Sequence, residues 1–408
     1  AYNAFGELTR QLDNKKQAID FEYDALGRVT NRRELSGVDS LGDSFFTIVN
    51  RETTSYRTLS PGKSQVATVT YRSGNSGAES HKVVSSYDWL GRVEGIETTV
   101  NQQQFYQQTT YDAYGRVFQH FDASGDSRGV RYAYRNGHLS ELKEAREGVQ
   151  GVVYQSILNM DARGNVTSAE LGNGVTAYAE YDPANGHLVS LSAYNQYDVE
   201  LQNVAYLFDV LGNLKSRHDQ SGSNDLKESF NYDDLNRLKH VNLLAPSIGI
   251  TNSIETLALD YDATGNITWK SDVGVYSYGT GPGSAGPHAV IRAGDTTYSY
   301  DANGNQTGGG GRNITYSVFD KVLDVTKGVQ KTRFTYGVGN HRIKREDIEA
   351  GVIEKSTIYL NTVEYIAEDD GSAFFKRYIG GVAIANFYPE SNKQQVSYLL
   401  KDHIGSIH

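Results

Sequence analysis

A seven-residue pattern, aromatic–Asp–x–x–Gly–(Arg/Asn)–aliphatic, recurs along the whole chain and constrains its fold more than any other feature. Clear copies are Tyr23-Asp24-Ala25-Leu26-Gly27-Arg28-Val29, Tyr87-Asp88-Trp89-Leu90-Gly91-Arg92-Val93 and Tyr111-Asp112-Ala113-Tyr114-Gly115-Arg116-Val117. Further copies begin at Met160, Tyr181, Phe208, Tyr232, Tyr261 and Tyr300. Well-kept neighbours lie about 20–30 residues apart, the period of a supersecondary unit that cannot bury its own apolar face and must stack on the next.

Each position has a physical reason. Asp opens a type I turn because its carboxylate accepts backbone N–H groups. Gly follows because the chain must take positive φ there, forming the bulge that keeps a hairpin twisted correctly. In Tyr232-Asp233-Asp234-Leu235-Asn236-Arg237-Leu238 the glycine is replaced by Asn236. Asn is the other residue that tolerates the left-handed region, so the position is conformational. The aromatic and the aliphatic residue then face each other across the strand pair.

Between turns the chain is rich in β-formers, as in Phe45–Val49, Val66–Tyr71 and Val204–Phe208. Only Ser140–Glu147 has a helix-like composition, and it is too short to form a helix unaided. The reading is all-β: a hairpin array over residues 1–408 as one unit, forming a curved, spiralling sheet. Gly279–Pro287 and Gly308–Gly311 read as long hairpin loops rather than linkers, since β-forming sequence continues beyond each. Both ends of the chain fall inside a repeat pattern, so a fragment of a larger polypeptide is expected.

Composition narrows the function. Aromatic residues make up 11%, with 29 Tyr, which disordered chains lack. There is no Cys, hence no disulfide, thiolate metal site or cysteine nucleophile. The net charge of −10 argues against nucleic acid as a partner, and no apolar run is long enough to form a membrane-spanning helix. No cofactor motif is present. Asp262-Ala263-Thr264-Gly265-Asn266 and Asp301-Ala302-Asn303-Gly304-Asn305 start like calcium loops but lack the late Glu and flanking helices. Gly125-Asp126-Ser127-Arg128-Gly129 spells a nucleophile elbow without the strand–turn–helix context, and reads as a polar hairpin loop. Gly281–Gly286 spells a dinucleotide loop without a strand–helix unit.

The repeated Tyr-Asp-x-x-Gly-Arg/Asn-Val unit resembles the YD repeats of the Rhs family, which includes bacterial polymorphic toxins, insecticidal toxin complexes and animal teneurins. The stretch Tyr398-Leu399-Leu400-Lys401-Asp402-His403-Ile404-Gly405-Ser406-Ile407 is similar to a motif near the end of the Rhs core. This resemblance implies a sheet strip that spirals into a hollow shell around a C-terminal effector or toxin domain. Other shell segments would be the neighbouring partners, and the parent would be secreted or cell-surface. It also implies that self-cleavage belongs to a segment beyond His408, leaving Asp402, His403, Gly405 and Ser406 a structural role and the chain no catalytic residues. Two other functions remain compatible with the sequence. One is a carbohydrate- or cell-surface-binding module built on the tyrosines. The other is a polysaccharide-active enzyme using the many carboxylates.

Overall fold

The computed structural model describes residues 1–37, 47–73, 77, 79–125, 127–146, 151–279, 281 and 284–407. Those residues form 34 β-strands and two short 3-10 turns, Pro246–Ile248 and Val338–Asn340. Each strand pairs antiparallel with the strands before and after it in sequence, so the chain is one uninterrupted meander.

A meander has two long edges made of turns, and here the two differ in kind. Every turn of the full repeat pattern, with Arg or Asn after the Gly, lies on one edge, the repeat-turn edge. The connections between repeats, such as 13–17, 101–102, 122–128 and 172–175, lie on the other, the far edge. At the repeat-turn edge Tyr23 faces Val29, Tyr87 faces Val93, Tyr111 faces Val117, Tyr232 faces Leu238 and Tyr261 faces Ile267, each with a register shift next to the tyrosine. That shift is the bulge opposite the positive-φ residue: Gly27, Gly91, Gly115, Asn236 and Gly265 all have φ between 59° and 92°.

The strip curls back on itself. Lys15 meets Asp301 at 3.0 Å, the N–H of Gly339 donates to Glu52 at 2.7 Å, and Gln107 donates to the Leu360 carbonyl at 3.2 Å. Gln202 donates to the Lys401 carbonyl at 3.0 Å. These contacts run in one direction along both stretches. Residues 301–403 therefore lie as a second tier along residues 13–217. In each contact the repeat-turn edge of the second tier sits on the far edge of the first. About 23 strand spacings of about 4.8 Å separate the hairpin at Lys15 from that at Asp301, a circuit of about 110 Å.

Apolar burial concentrates at this seam. Val100, Phe105 and Ala123 of the first tier pack with Ile343, Ile358, Leu360 and Val363 of the second. Val130, Leu142 and Tyr154 pack with Ile379, Ala383 and Ala385, and Leu171, Val175 and Ala193 with Val382, Tyr398 and Leu400. The rest of the strip is an open wall. Its accessible surface is 22866 Å², where a compact globule of 45.0 kDa would expose about 16,000 Å².

The helix-like composition of Ser140–Glu147, too short to hold a helix unaided, yields none: Ser140–Glu144 lies in the strand His138–Glu144, where its neighbours on both sides offer ladder partners. Two sequence expectations change. Gly308–Gly311 is no long loop: Gly308 and Gly309 are strand residues, and Gly310 and Gly311 make a two-residue turn with φ of 60° and 76°. The loop 122–128 is only partly a solvent loop, since Asp122, Ser124 and Arg128 are buried under the second tier. Asp126, Glu147 and parts of the Phe45–Val49 and Gly279–Pro287 stretches lie outside the described residues.

Candidate functional site

The repeat turn is the unit from which everything else is built. In the first copy Asp24 Oδ1 accepts the N–H groups of Leu26 and Arg28 at 2.9 and 3.1 Å, and Oδ2 accepts Arg28 Nε at 2.7 Å. Asp88 and Asp112 hold Arg92 and Arg116 in the same way, and Asp233 holds Arg237. Where Asn stands in place of Arg, its amide takes over: Asn266 Nδ2 donates to Asp262 Oδ2 at 3.0 Å, with Thr264 adding a hydroxyl. Hydrogen bonds from the Thr264 hydroxyl and from Asn266 push the Asp262 carboxyl down to about 2. The Arg28 guanidinium likewise holds Asp24 below the usual carboxylate range. These carboxylates are ionised and fully engaged, so they serve as turn anchors.

The tyrosine has a role that the repeat alone does not reveal. Tyr23 Oη donates to the carbonyl of Leu8, the aliphatic residue that closes the preceding turn, at 2.8 Å. The same bond joins Tyr56 to Val29, Tyr87 to Val66, Tyr111 to Val93, Tyr232 to Leu214 and Tyr261 to Leu238, at 2.7–2.9 Å. Each of these repeats is thus bolted to the one before it. The turn arginine reinforces the link by lying over the tyrosine of the next repeat: Arg28 over Tyr56, Arg92 over Tyr111 and Arg116 over Tyr134, each at 4.1 Å. Asp, Arg and the next Tyr form a relay along the edge.

This ladder also exposes repeats that the sequence pattern misses. Tyr134, Tyr278, Tyr316 and Tyr336 donate to Val117, Ile267, Gln306 and Val322 as the others do, yet none is followed by Asp. The regular spacing of Tyr near aliphatic turn closers was the available signal. The end motif is one more copy. Asp402 Oδ1 accepts the N–H groups of Ile404 and Ser406 at 3.0 and 2.8 Å, Gly405 has φ 88°, and Lys401 pairs with Ile407. Lys401 stands where tyrosine would be and Ser406 where Arg or Asn would be. His403 packs its ring on Tyr206 of the first tier at 4.7 Å.

The seam holds the chain's most buried charge. Arg377, 0% exposed, donates to Asp122 Oδ2 at 2.8 Å and to Glu144 Oε2 at 3.0 Å, and Gln394 Oε1 accepts from it at 2.9 Å. Tyr154 donates to the same Glu144. Burial alone would push Arg377 down, but Asp122 and Glu144 outweigh it and raise the guanidinium above its usual value. Burial would likewise raise Glu144, yet the charge of Arg377 holds it below the usual range. The network is a charged clamp between tiers. The network could not be read from the sequence, because the partners joined across the tiers are more than 230 residues apart. Among the described residues no group of three or more His, Asp or Glu is placed to hold a metal ion. Among the same described residues, no helix is long and apolar enough to cross a membrane.

Curled strip, bulged hairpins and ladder together define a YD-repeat type of all-β shell fold. Solved structures agree. The chain superposes on the TcdB2-TccC3-TEV crystal structure with a TM-score of 0.78 at 16% identity, covering 100% of this chain and 23% of that one. A Photorhabdus luminescens Tc holotoxin pore gives 0.76 at 17% identity, covering 99% and 22%, and TcdB2-TccC3 without its hypervariable C-terminal region gives 0.71 at 14%, covering 99% and 22%. The chain thus has the Rhs/YD-repeat fold seen in Tc toxin complexes, and spans under a quarter of each of these chains. No known family's sequence profile matches it, and no curated protein does.

Proposed function

We propose that this chain is a wall segment of a secreted toxin-complex shell that encloses an effector segment of its own polypeptide, and that its role is structural rather than catalytic. The observation that carries this reading is the edge-to-edge seam. It turns a flat meander into a rising, open-walled strip with far more surface than a compact domain. The turn carboxylates are committed to backbone N–H groups and to Arg or Asn, which suits scaffolding rather than acid–base work. Limited proteolysis of the polypeptide that carries this segment tests enclosure. The effector segment should resist cleavage in the intact protein and be cut rapidly once the wall is opened by Arg377→Ala. Equal cleavage in both would overturn the proposal.

A second reading, saccharide binding, has one observation in its favour. A cavity of about 800 Å³ beside the seam is lined by Gln104, Tyr106, Gln108, Gln119 and Phe121, with Asp122, which is engaged by Arg377, and Arg146 on its wall. Uncharged amides beside aromatic faces suit a neutral sugar. Titration with cellotriose, maltotriose and chitotriose tests it, and absence of saturable binding would remove it.

A further inference from the structure

Three of the seam's polar contacts differ in chemistry. On one side Lys15 reaches Asp301 and Asp320 at 3.0 and 3.1 Å. On the other Arg377 holds Asp122 and Glu144. Between them the turn 337–341 of the second tier sits on a row of the first tier made by Arg32, Glu52, Tyr71 and His81, each facing the next across neighbouring strands. Arg32 donates to Asn340 at 3.0 Å, the N–H of Gly339 to Glu52 at 2.7 Å, and the N–H of Val338 to His81 Nδ1 at 3.0 Å. His81 is buried, and the turn lies so close that Gly337 has no room for a Cβ against the imidazole.

We propose that the middle contact is an acid-operated catch: protonation of His81 releases the turn 337–341 while the contacts on either side stay shut, so mild acid parts the tiers at one place. A protonated Nδ1 carries a hydrogen that faces the Val338 N–H, which turns a donor–acceptor pair into two opposed donors beside a buried charge. The groups around the ring are committed elsewhere. Glu52 accepts from Gly339 and from Arg32. Tyr71 gives its hydroxyl to Glu34. Glu34, raised by burial, bonds Asn50 and Tyr71 of its own tier, so parting the tiers leaves those bonds in place. Glu79, on the strand of His81, pairs with Arg72. From the second tier His341 adds a like charge. Burial, with that smaller push, lowers His81 from 6.5 to about 4. A closed seam therefore keeps the ring neutral and an open one lets it take a proton, so opening is favoured as pH falls from 6.5 toward 4. The flanking contacts respond lower. Burial would raise Asp301 and Asp320, but hydrogen bonds from Asn305 and Lys15 hold both below the usual carboxylate range, as Arg377 does for Glu144. His120, beside Asp122, is lowered by burial, which Asp122 partly offsets, but its ring bonds Thr109 of its own tier. The catch rests on the seam alone and does not depend on the enclosing role.

Hydrogen exchange in the polypeptide that carries this segment, at pH 7.5 and at pH 5, tests the catch. Protection factors divide out the intrinsic dependence of exchange on pH. The reporters are the Val338 and Gly339 amides, because their hydrogen bonds cross the tiers. Their opening constant should rise roughly 30-fold between the two conditions, the ratio set by a ring that titrates at 6.5 when open and at about 4 when closed. Protection in Ala18–Tyr23 and Ala373–Ile379, beside the two flanking contacts, should change less than about threefold. His81→Gln keeps an acceptor without a titrating ring, and should give the same protection at Val338 and Gly339 at both pH values. A reporter pair that does not respond to pH would overturn the proposal. So would a loss of protection spread evenly over all the segments, or a His81→Gln chain with the parent's response. Should His81→Gln not fold, the contrast between segments in the parent still decides.

Discussion

Arg377 Nε donates to Asp122 Oδ2 at 2.8 Å across 255 residues of chain, joining the repeat-turn edge of one tier to the far edge of the other. Both groups are buried, and Glu144 adds a second buried carboxylate to the same guanidinium. Replacing Arg377 by Ala leaves two buried carboxylates facing an empty space. Removing one partner from a buried ion pair costs about 3–5 kcal/mol. Repeat arrays can open in parts, so the loss need not spread over the whole chain. Hydrogen exchange should rise selectively in Val117–Phe121 and Ala373–Ile379. Uniform exchange, or no change, would show that the apolar contacts alone hold the seam.

The tyrosine ladder makes a sharper comparison. Tyr87→Phe deletes only the 2.7 Å bond to the Val66 carbonyl, and should cost about 0.5–1.5 kcal/mol. Tyr111→Phe and Tyr261→Phe should cost the same, since the same bond is lost. Tyr181 occupies the equivalent place in its repeat, but among the described residues its hydroxyl shows no such bond. Tyr181→Phe should therefore be neutral within about 0.5 kcal/mol. Urea denaturation of the four variants side by side checks this. Equal effects at all four would mean that ring packing, and not the hydroxyl, links the repeats.

What the sequence disclosed and what it hid divide along physical lines. Asp24, Gly27 and Arg28 could be placed from sequence because their partners lie within four residues, where spacing dictates geometry. The Asn at position 236 even identified the conformational demand, and its φ is 59°. The ladder was half visible: the tyrosines stood out, but the acceptor is a backbone carbonyl one repeat earlier, which no side-chain pattern encodes. The seam was invisible. Arg377 and Glu144 are single residues without periodicity, Asp122 reads only as the first residue of a repeat-like turn, and their proximity depends on how far the strip curls. Gly308–Gly311 misled for a local reason. Four consecutive glycines suggest a long flexible loop, but strand pairing left only two of them to make the turn.

The left-handed position can be tested without steric interference. A Cβ on Gly265 would meet nothing within 4 Å, while φ there is 92°. Gly265→Ala should thus report the backbone cost alone, about 1–2 kcal/mol. Asn236→Gly should be close to neutral, since it relieves the same strain but removes the exposed bond that Asn213 Nδ2 donates to Asn236 Oδ1 at 3.0 Å. Thermal denaturation of both variants should move the two transitions differently: clearly down for Gly265→Ala and little for Asn236→Gly. A Gly265→Ala protein as stable as the parent would show that the turn can relax, and that the glycine is not required.

His81 gives the seam a pH dependence with a defined window. Its Nδ1 accepts the N–H of Val338 at 3.0 Å across the tiers, which requires a neutral ring. Burial, with a smaller push from His341, lowers the imidazole from 6.5 to about 4. Glu52 and Arg32 lie nearby but are engaged with Gly339 and Asn340. Between pH 6.5 and about 4 the unfolded chain binds a proton at His81 that the folded chain does not, so stability falls as pH falls through that interval. The full span corresponds to roughly 3 kcal/mol. The turn aspartates respond in a different interval. Their lowered values mean that their contribution is lost only below the ordinary carboxylate range, toward about 2 for Asp262. His81→Gln keeps an acceptor but cannot titrate. Denaturation midpoints of the parent should drop between pH 6.5 and 4, and those of the variant should drop less, with the two curves running parallel below pH 4. Identical slopes in the upper interval would assign the loss to other groups and leave His81 as packing only.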